Sequence, residues 1–370
     1  MTNSFAKRCC QSKNRRKSTS KVVSNVLEHV TISPLNGKTL IGDDTSRLDI
    51  DINSLDRYGY TALHRACSTG NQPLIEYLID SGVELNIFNK FGESAIHSIC
   101  FDGHVAIVKL LIDAGADVNI RDSNGFTPIN WAARNNRYEI VVKLIESGAD
   151  INITDYCGVS PLQGATLKGN LKVMKALIFA GASINISDLD GNTPISTAVT
   201  ISDESIARYA SKLLLRNGAN PNIKNNVNDA PIHRAITKRN YAVVKYLAEA
   251  AGVDIDVQNR HGETPINLAC SKGSLSIVKF LADKGADIEL ENNRDLSPHM
   301  NAELYHHYNI ADYLLTILNS EQHRRNMKWR RRKNFAVLIN HLKNISEVVP
   351  SSVNRGLLCY DMHRYIATFL

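Results

Sequence analysis

The sequence predicts an all-α solenoid built of repeated helix-turn-helix units that are joined by β-hairpin loops. One observation is a glycine that returns every 33 residues in the middle of the chain, and a second is a tetrapeptide similar to Thr-Pro-Leu-His that returns with it. A period of this length is typical of structures in which one supersecondary unit stacks on the next. The recurring glycines are Gly82, Gly115, Gly148 and Gly181.

Each tetrapeptide predicts the start of a short helix. Its first hydroxyl can accept a hydrogen bond from a free backbone N–H, and proline is favourable at the first helical position. A glycine then ends this helix, and a second helix follows with apolar residues at helical spacing. The tetrapeptides are Thr61-Ala-Leu-His64, Ser94-Ala-Ile-His97, Thr127-Pro-Ile-Asn130, Ser160-Pro-Leu-Gln163, Thr193-Pro-Ile-Ser196, Ala230-Pro-Ile-His233 and Thr264-Pro-Ile-Asn267.

The pattern resembles the ankyrin repeat, with seven units over residues 54–290. The resemblance implies a non-catalytic scaffold that binds a partner protein through its hairpin tips and the concave face of its first helices. Residues 291–318 keep Leu296-Ser-Pro-His299 but lack the glycine turn, so they are predicted to be a degenerate capping repeat. Residues 22–53 are predicted to form a partial N-terminal cap.

Two units depart from the period. The interval from Gly181 to Gly218 is 37 residues, which predicts an insertion of about four residues near Thr200–Glu204, in or beside the loop between two helices. The interval from Gly218 to Gly252 is 34 residues, with one extra residue around Glu249–Ala251. Both changes are small enough to leave the repeated architecture intact.

The candidate binding residues are mostly aromatic side chains beside the tip glycines, where the fold does not require them. Exposed aromatic residues are favoured at the energetic centres of protein interfaces. The alternative is that several of them pack across neighbouring hairpins and never touch a partner. The candidates are Tyr58, Tyr60, Phe91, Phe126, Trp131, Tyr156 and His261, with a polar rim of Arg57, Arg65, Lys90, Arg134, Arg234 and Arg260.

The histidines of the tetrapeptides, His64, His97 and His233, are predicted to be structural, bonding nearby backbone and hydroxyl groups. The sequence has no Gly-rich phosphate loop, no His-Glu metal helix and no nucleophile elbow. We therefore predict neither an enzyme nor a cofactor or metal site. The small second-alanine position of three units is filled by Cys67, Cys100 and Cys270.

Composition and charge divide the chain into an acidic middle and two basic ends. Hydrophobic residues at 43% and charged residues at 22% are typical of a soluble globular protein. Residues 1–21 hold seven basic residues and no acid, and residues 324–370 hold ten basic residues against two acids. Subtracting both ends from the totals of 43 and 37 leaves 26 basic and 35 acidic residues in 22–323. Residues 1–21 are predicted to be a disordered arm, in which Lys13–Lys17 is either a nuclear-import signal or a solvated basic run.

Seven cysteines, an odd number without metal-ligand spacing, favour a reducing compartment. No apolar run is long enough for a membrane span or a secretory signal, so we expect no membrane association.

The C-terminal region carries a second resemblance. Residues 319–349 are predicted to form a basic linker and helix around Trp329, and residues 350–370 an amphipathic helix. The spacing in that helix is similar to the first helix of an F-box, although Cys359 stands where the F-box has proline. The F-box-like residues are Leu358, Met362, Ile366 and Leu370.

Ankyrin repeats, a basic linker and an F-box-like C-terminus together resemble the ankyrin proteins of large DNA viruses. That resemblance implies a substrate adaptor that recruits a cullin-type ubiquitin ligase through its adaptor subunit, in the host cytoplasm or nucleus. The alternative is that the C-terminal helix folds back and caps the solenoid. Nucleic-acid binding through the seven basic residues of 324–333 is not favoured, because no recognition fold accompanies them.

Overall fold

A computed structural model of the chain describes residues 51–320, and every regular element within that range is a helix. The predicted basic arm, most of the N-terminal cap, nearly all of the linker and the C-terminal helix lie outside the described residues. The helices are α1 (Ala62–Ser68), α2 (Gln72–Asp80), α3 (Ala95–Asp102), α4 (Val105–Asp113), α5 (Pro128–Arg134), α6 (Tyr138–Glu146), α7 (Pro161–Leu167), α8 (Leu171–Phe179), α9 (Pro194–Ala198), α10 (Glu204–Arg216), α11 (Pro231–Thr237), α12 (Tyr241–Ala248), α13 (Pro265–Ser271), α14 (Leu275–Asp283), α15 (Pro298–Leu304) and α16 (Tyr308–Leu318).

The helices from α1 to α14 form seven successive pairs, one for each predicted tetrapeptide. Within a pair, the odd-numbered first helix packs on the even-numbered second helix, and each packs on its counterpart in the adjoining pair. The predicted helical solenoid is therefore confirmed. Helices α1 to α15 belong to one compact unit, whereas α16 belongs to a second unit that begins at Tyr308 and is described by itself. In α16, Ile310, Ala311 and Leu314 are buried.

The first helices begin as the tetrapeptides predict. The hydroxyl of Thr61 accepts a hydrogen bond from the backbone N–H of His64, and that of Ser160 accepts from Gln163. Proline occupies the first turn of most first helices, where the missing N–H costs no intrahelical bond. Sequence and local structure agree here because capping depends only on residues within one turn of each other.

The core lies between the two layers of helices. On the first helices, residues such as Leu63, Ile96 and Ile129 are fully buried, and on α4 the buried residues are Ile107, Val108 and Leu111. Burying a side chain of this size stabilises the fold by about 2 kcal/mol. Since one helix pair cannot cover its own apolar face, stacking on the next pair completes the core.

The loops between units are closed by turns, and no β-strand is assigned in residues 51–320. In the third unit the backbone N–H of Asp122 donates to the carbonyl of Phe126, and the N–H of Gly125 donates back to Asp122, each over 2.9 Å. One carboxylate oxygen of Asp122 also accepts from the backbone N–H groups of Asn124 and Phe126. The predicted hairpin tip is thus a turn that a side chain closes, without a β-ladder.

A second set of bonds links successive units. The amide oxygen of Asn119 accepts from the backbone N–H of Asp150 over 2.7 Å, and Asn86 accepts from Asp117 over 3.0 Å. The same bond recurs about 31 residues apart along the stack. Each unit therefore fixes the position of the next by a polar contact as well as by burial.

The four-residue insertion of the fifth unit lengthens a helix. Helix α9 has only five residues, and α10 has 13 where the second helices α4, α6, α8 and α14 have nine. The carboxylate of Asp203 caps α10 by accepting from the backbone N–H of Ile206. The inserted residues thus add one turn at the start of α10, beside the loop, because one helical turn takes about 3.6 residues.

Candidate partner-binding surface

The loops of the first two units bring three predicted aromatic residues together. The ring of Tyr60 lies 6.1 Å from that of Phe91 and 6.1 Å from the imidazole of His64. Tyr58 and Phe91 are 47% and 52% exposed, so their rings remain available while their loops are held in place. Tyr60 packs across neighbouring loops, as the alternative reading predicted, and Tyr58 and Phe91 keep an open side.

Cations surround the exposed ring of Tyr58. The guanidinium carbons of Arg57 and Arg65 lie 4.6 Å and 5.5 Å from its centroid, and the Lys90 ammonium lies 5.9 Å away. Such contacts contribute about 0.5–1 kcal/mol each at exposed sites. Three predicted rim residues therefore converge on one predicted aromatic residue.

Arg65 also holds a carboxylate. Its Nε and Nη2 donate to one oxygen of Asp56 over 2.9 Å and 2.7 Å. Although partial burial opposes it, the backbone N–H of Tyr60 and the Arg65 guanidinium hold the pKa of Asp56 below its usual value. Arg65 is thereby neutralised and oriented by its own unit.

A second aromatic cluster lies on the first helices of the second and third units. The indole of Trp131 contacts Phe101 at 5.6 Å and Phe126 at 5.3 Å between ring centroids. Its Nε1–H donates to the second carboxylate oxygen of Asp122 over 2.9 Å, so the buried acid that closes the loop also orients the indole. Sequence reasoning named Trp131 and Phe126 and missed Phe101, which is 48% exposed on α3.

The Arg134 side chain lies against Gly164 beside this cluster, because Gly164 has no side chain. A Cβ atom on Gly164 would stand 2.9 Å from Cγ of Arg134. The guanidinium lies 5.1 Å from the ring of Phe126 and 3.9 Å from the carboxylate of Asp155. Gly164 occupies in the fourth unit the position that Trp131 has in the third, so the first helix of the fourth unit adds no ring at this position.

Tyr156 extends the surface onto the fourth loop. It is 63% exposed, and the guanidinium of Arg121 lies 5.1 Å from its ring. Arg121 is held from the other side by a 2.7 Å hydrogen bond to the carbonyl of Thr154. We call the following set the aromatic surface: Tyr58, Tyr60, Phe91, Phe101, Phe126, Trp131 and Tyr156.

A polar network without aromatic residues runs from the first helix of the fourth unit into the fifth and sixth units. Nε2 of Gln163 donates to the carboxylate of Asp188 over 2.7 Å and to the carbonyl of Asn192 over 2.9 Å. The amide of Asn225 and the guanidinium of Arg234 both donate to the side-chain oxygen of Asn192. Burial lowers the pKa of Arg234, while nearby aspartates oppose that change. Arg234 thus belongs to an internal network, unlike the other predicted rim residues.

His261 is not part of the aromatic surface. It lies on the seventh loop, where its Nε2 accepts from Nε of Arg260 over 3.0 Å. Its carbonyl accepts from the backbone N–H of Asn293 on the next loop. The F-box-like residues Leu358, Met362, Ile366 and Leu370 lie outside the described range, and the ligase-adaptor hypothesis stays a prediction.

The tetrapeptide histidines are structural, as predicted. Nδ1 of His97 accepts from the backbone N–H of Ser94 over 3.1 Å, so its protonated Nε2 donates to the carbonyl of Phe126 over 3.0 Å. His64 and His233 make the equivalent bonds to carbonyls of their next units. Burial lowers the pKa of all three below the ordinary value of 6.5, since a charged imidazole is poorly solvated there.

Comparison with known proteins identifies the repeat. A model of ankyrin repeats in three copies matches residues 82–155, 162–259 and 250–326, and two models of ankyrin repeats in many copies match residues 46–99 and 136–178. The chain belongs to the ankyrin repeat family. No individually curated protein matches it in sequence.

Among solved structures, the ankyrin repeats are similar to the ankyrin repeat domain of Bcl-3, which is described as a unique member of the IkappaB protein family. The two share 27% identity with a TM-score of 0.55, and the match covers 60% of this chain and 99% of the Bcl-3 domain. Ankyrin repeats serve typically as protein-interaction scaffolds.

Within residues 51–320, no group of three or more His, Cys, Asp or Glu residues is arranged to hold a metal ion. In the same range, no helix combines the length and apolar character needed to cross a bilayer. Burial raises the pKa of the Cys67 thiol to about 12 and raises those of Cys100 and Cys270 as well, so these thiols act as small apolar groups.

Two residues that sequence reasoning missed have recognisable signals. Phe101 stands three residues after Ser98, and positions three apart lie on the same side of the ankyrin first helix. Arg121 precedes the turn that Asp122 closes and reaches the loop 33 residues ahead. Comparing equivalent positions in adjoining repeats would have found both, since residues about 33 apart are spatial neighbours in this stack.

Proposed function

We propose that this chain is a protein-interaction scaffold whose partner binds the aromatic surface on the first four repeats. Membership of the ankyrin repeat family supports a protein partner. The position of the aromatic surface supports the choice of binding site. Seven aromatic side chains from four consecutive units lie on first helices and loop tips, and Tyr58, Phe91, Phe101 and Tyr156 stay about half exposed or more. Interface centres favour such aromatic residues with arginine beside them.

The arrangement is preorganised, which favours affinity. Trp131 is fixed by Asp122, Arg65 by Asp56 and Arg134 by Gly164 and Asp155. Side chains that are already ordered lose less entropy when a partner binds. The polar network of the fifth and sixth repeats offers no comparable set of exposed rings, so we place the binding surface on the N-terminal half of the described stack.

Affinity capture with the full chain tests this proposal. The double variant Phe91→Ala, Phe101→Ala removes two exposed rings, and its matched control, Tyr77→Ala, Tyr138→Ala, removes two exposed rings of second helices. We expect captured partners to bind the first variant at least about tenfold more weakly and the control unchanged. Equal capture by both variants, with unchanged circular dichroism, would move the binding site away from the aromatic surface.

A further inference from the structure

The N-terminal end of the aromatic surface combines exposed rings with cations that have no acidic partner among residues 51–320. No described carboxylate lies within ion-pair distance of Arg57 or Lys90, whereas Arg65 is neutralised by Asp56. Both cations flank Tyr58, and the Lys90 ammonium also lies 5.0 Å from the ring of Phe91. The first two loops therefore present two positive charges beside two half-exposed aromatic rings.

This combination indicates the chemistry of the bound segment. A carboxylate between Arg57 and Lys90 would satisfy donors that now face solvent, and an apolar side chain next to it would cover Tyr58 and Phe91. Complementary charge also speeds association and excludes basic competitors. The occupant that fits is a segment in which acidic residues alternate with an aromatic or aliphatic one.

The ends of this chain do not have that composition. Residues 1–21 hold seven basic residues and no acid, and residues 324–370 hold ten basic residues and two acids. Either of these basic ends would be repelled by Arg57 and Lys90, so neither of them supplies the segment.

Single-stranded nucleic acid is the other polymer that pairs negative charge with flat rings. The rest of the stack argues against it. Residues 22–323 carry nine more acidic than basic residues, and Asp188, Asp190 and Asp229 lie close enough to Arg234 to affect its pKa. A nucleic-acid backbone that extended beyond the first two loops would be repelled by these acidic residues. A short acidic peptide segment need contact only Arg57 and Lys90.

Resting on the function proposed above, we infer that Arg57 and Lys90, with Tyr58 and Phe91, bind an acidic segment of the partner that carries an aromatic side chain beside its carboxylates.

Fluorescence anisotropy with the full chain tests this inference. The probe is a labelled short peptide of alternating Glu and Asp residues with two tryptophans. Comparison peptides replace its acids by Gln and Asn, or its tryptophans by Ala. We expect the acidic aromatic peptide to bind at least about tenfold more tightly than either comparison peptide, and added salt to weaken it.

Charge reversal locates the site. Arg57→Glu with Lys90→Glu should weaken peptide binding at least about tenfold. The matched control, Lys238→Glu with Arg294→Glu, makes the same change on exposed residues of the sixth and eighth repeats and should leave binding unchanged. Circular dichroism confirms that each variant is folded.

The outcomes separate this inference from the function on which it rests. If the Phe91, Phe101 variant loses its captured partner while the Arg57, Lys90 reversal keeps it, the scaffold stands and the acidic segment is wrong. If both charge reversals weakened peptide binding equally, the attraction would be a non-specific effect of net charge, and the assignment of the site to Arg57 and Lys90 would be wrong. Tighter binding of a single-stranded oligothymidine than of the acidic peptide would overturn the partner class.

Discussion

At the residue scale, the third position of each first helix shows how a short motif specifies a contact between units. This position holds His64, His97 or His233 in three repeats, Asn130 or Asn267 in two and Gln163 in another. In all six repeats this side chain donates to or contacts a backbone carbonyl of the next unit. The three histidines and Asn130 also accept from the backbone N–H of their own cap residue. The structural role was predictable because the cap is local, but the carbonyl that each side chain reaches lies 23 to 30 residues away.

The buried histidines should make folding depend on pH. In the unfolded chain an imidazole takes up a proton below about pH 6.5, whereas burial lowers the pKa of the folded residue. The stabilisation from a neutral buried histidine is therefore complete above that pH and is lost as the pH falls toward the folded pKa. We expect the free energy of unfolding to decrease between about pH 7 and pH 5.5.

Asparagine provides the matched substitution, since the third and seventh repeats already use it. The variant His64→Asn, His97→Asn, His233→Asn should show a flatter pH dependence in urea unfolding, with His261→Asn as the exposed control. Asn130 shows the bonds that the new amides would make, accepting from the N–H of Thr127 and donating to the carbonyl of Ile153. An unchanged slope in the triple variant would mean that other groups set the acid sensitivity.

Other side-chain arrangements at this scale could not be predicted from the sequence alone. Arg134 was predicted to be a rim residue. Its side chain can occupy its observed position only because the residue 30 positions later, Gly164, has no side chain. Trp131 was expected to be a binding residue, and its orientation depends on Asp122. Composition and position identified the residue types, whereas their geometry depends on contacts with neighbouring loops and helices.

At the element scale, the loop between units depends on two kinds of glycine that look alike in sequence. Gly115 ends a second helix with φ +95°, and a Cβ atom there would meet nothing within 4 Å. Gly125 sits at a loop tip with φ +82°, and a Cβ atom there would lie 2.8 Å from both the ring and the backbone nitrogen of Tyr156. Gly125 is therefore needed for stacking as well as for its backbone conformation.

Alanine substitution separates these two requirements. Gly115→Ala adds only the cost of a left-handed backbone, about 1 kcal/mol of unfolding free energy. Gly125→Ala adds a clash with the backbone of the next loop, and we expect a loss of about 3 kcal/mol or more. Urea unfolding measures both values. Equal losses would show that the fourth loop can move away without cost.

The insertion in the fifth repeat shows which part of an element was predictable. Counting between glycines located it near Thr200–Glu204, and the structure places it there. Whether it lengthened the loop or the helix depends on the short stretch Ser202-Asp203-Glu204, in which Asp203 caps α10. An acidic cap followed by another acid is a helix-start signal. The lengthening of α10 could therefore have been predicted from the sequence.

At the scale of the whole described stack, each repeat contacts its neighbours, and the described contacts of residues 51–307 follow that order. Stability should then be close to a sum of terms for single repeats and for adjoining interfaces. Changes to the aromatic surface should therefore leave the repeats beyond the polar network unaffected. The binding tests depend on this independence, because they compare variants in distant repeats.

Double-mutant cycles measure that independence directly. Phe101 and Trp131 join the second and third repeats, and Tyr241 and Phe280 join the sixth and seventh at 5.9 Å. Replacing both members of either pair by leucine should give a coupling energy of about 0.5–1.5 kcal/mol, as edge-to-face rings do. The cycle between Trp131 and Tyr241 should be additive to within about 0.5 kcal/mol, since these residues lie three repeats apart. A distant coupling as large as the local one would mean that the stack responds as a single body, and partner binding at the first repeats would then be transmitted to the seventh.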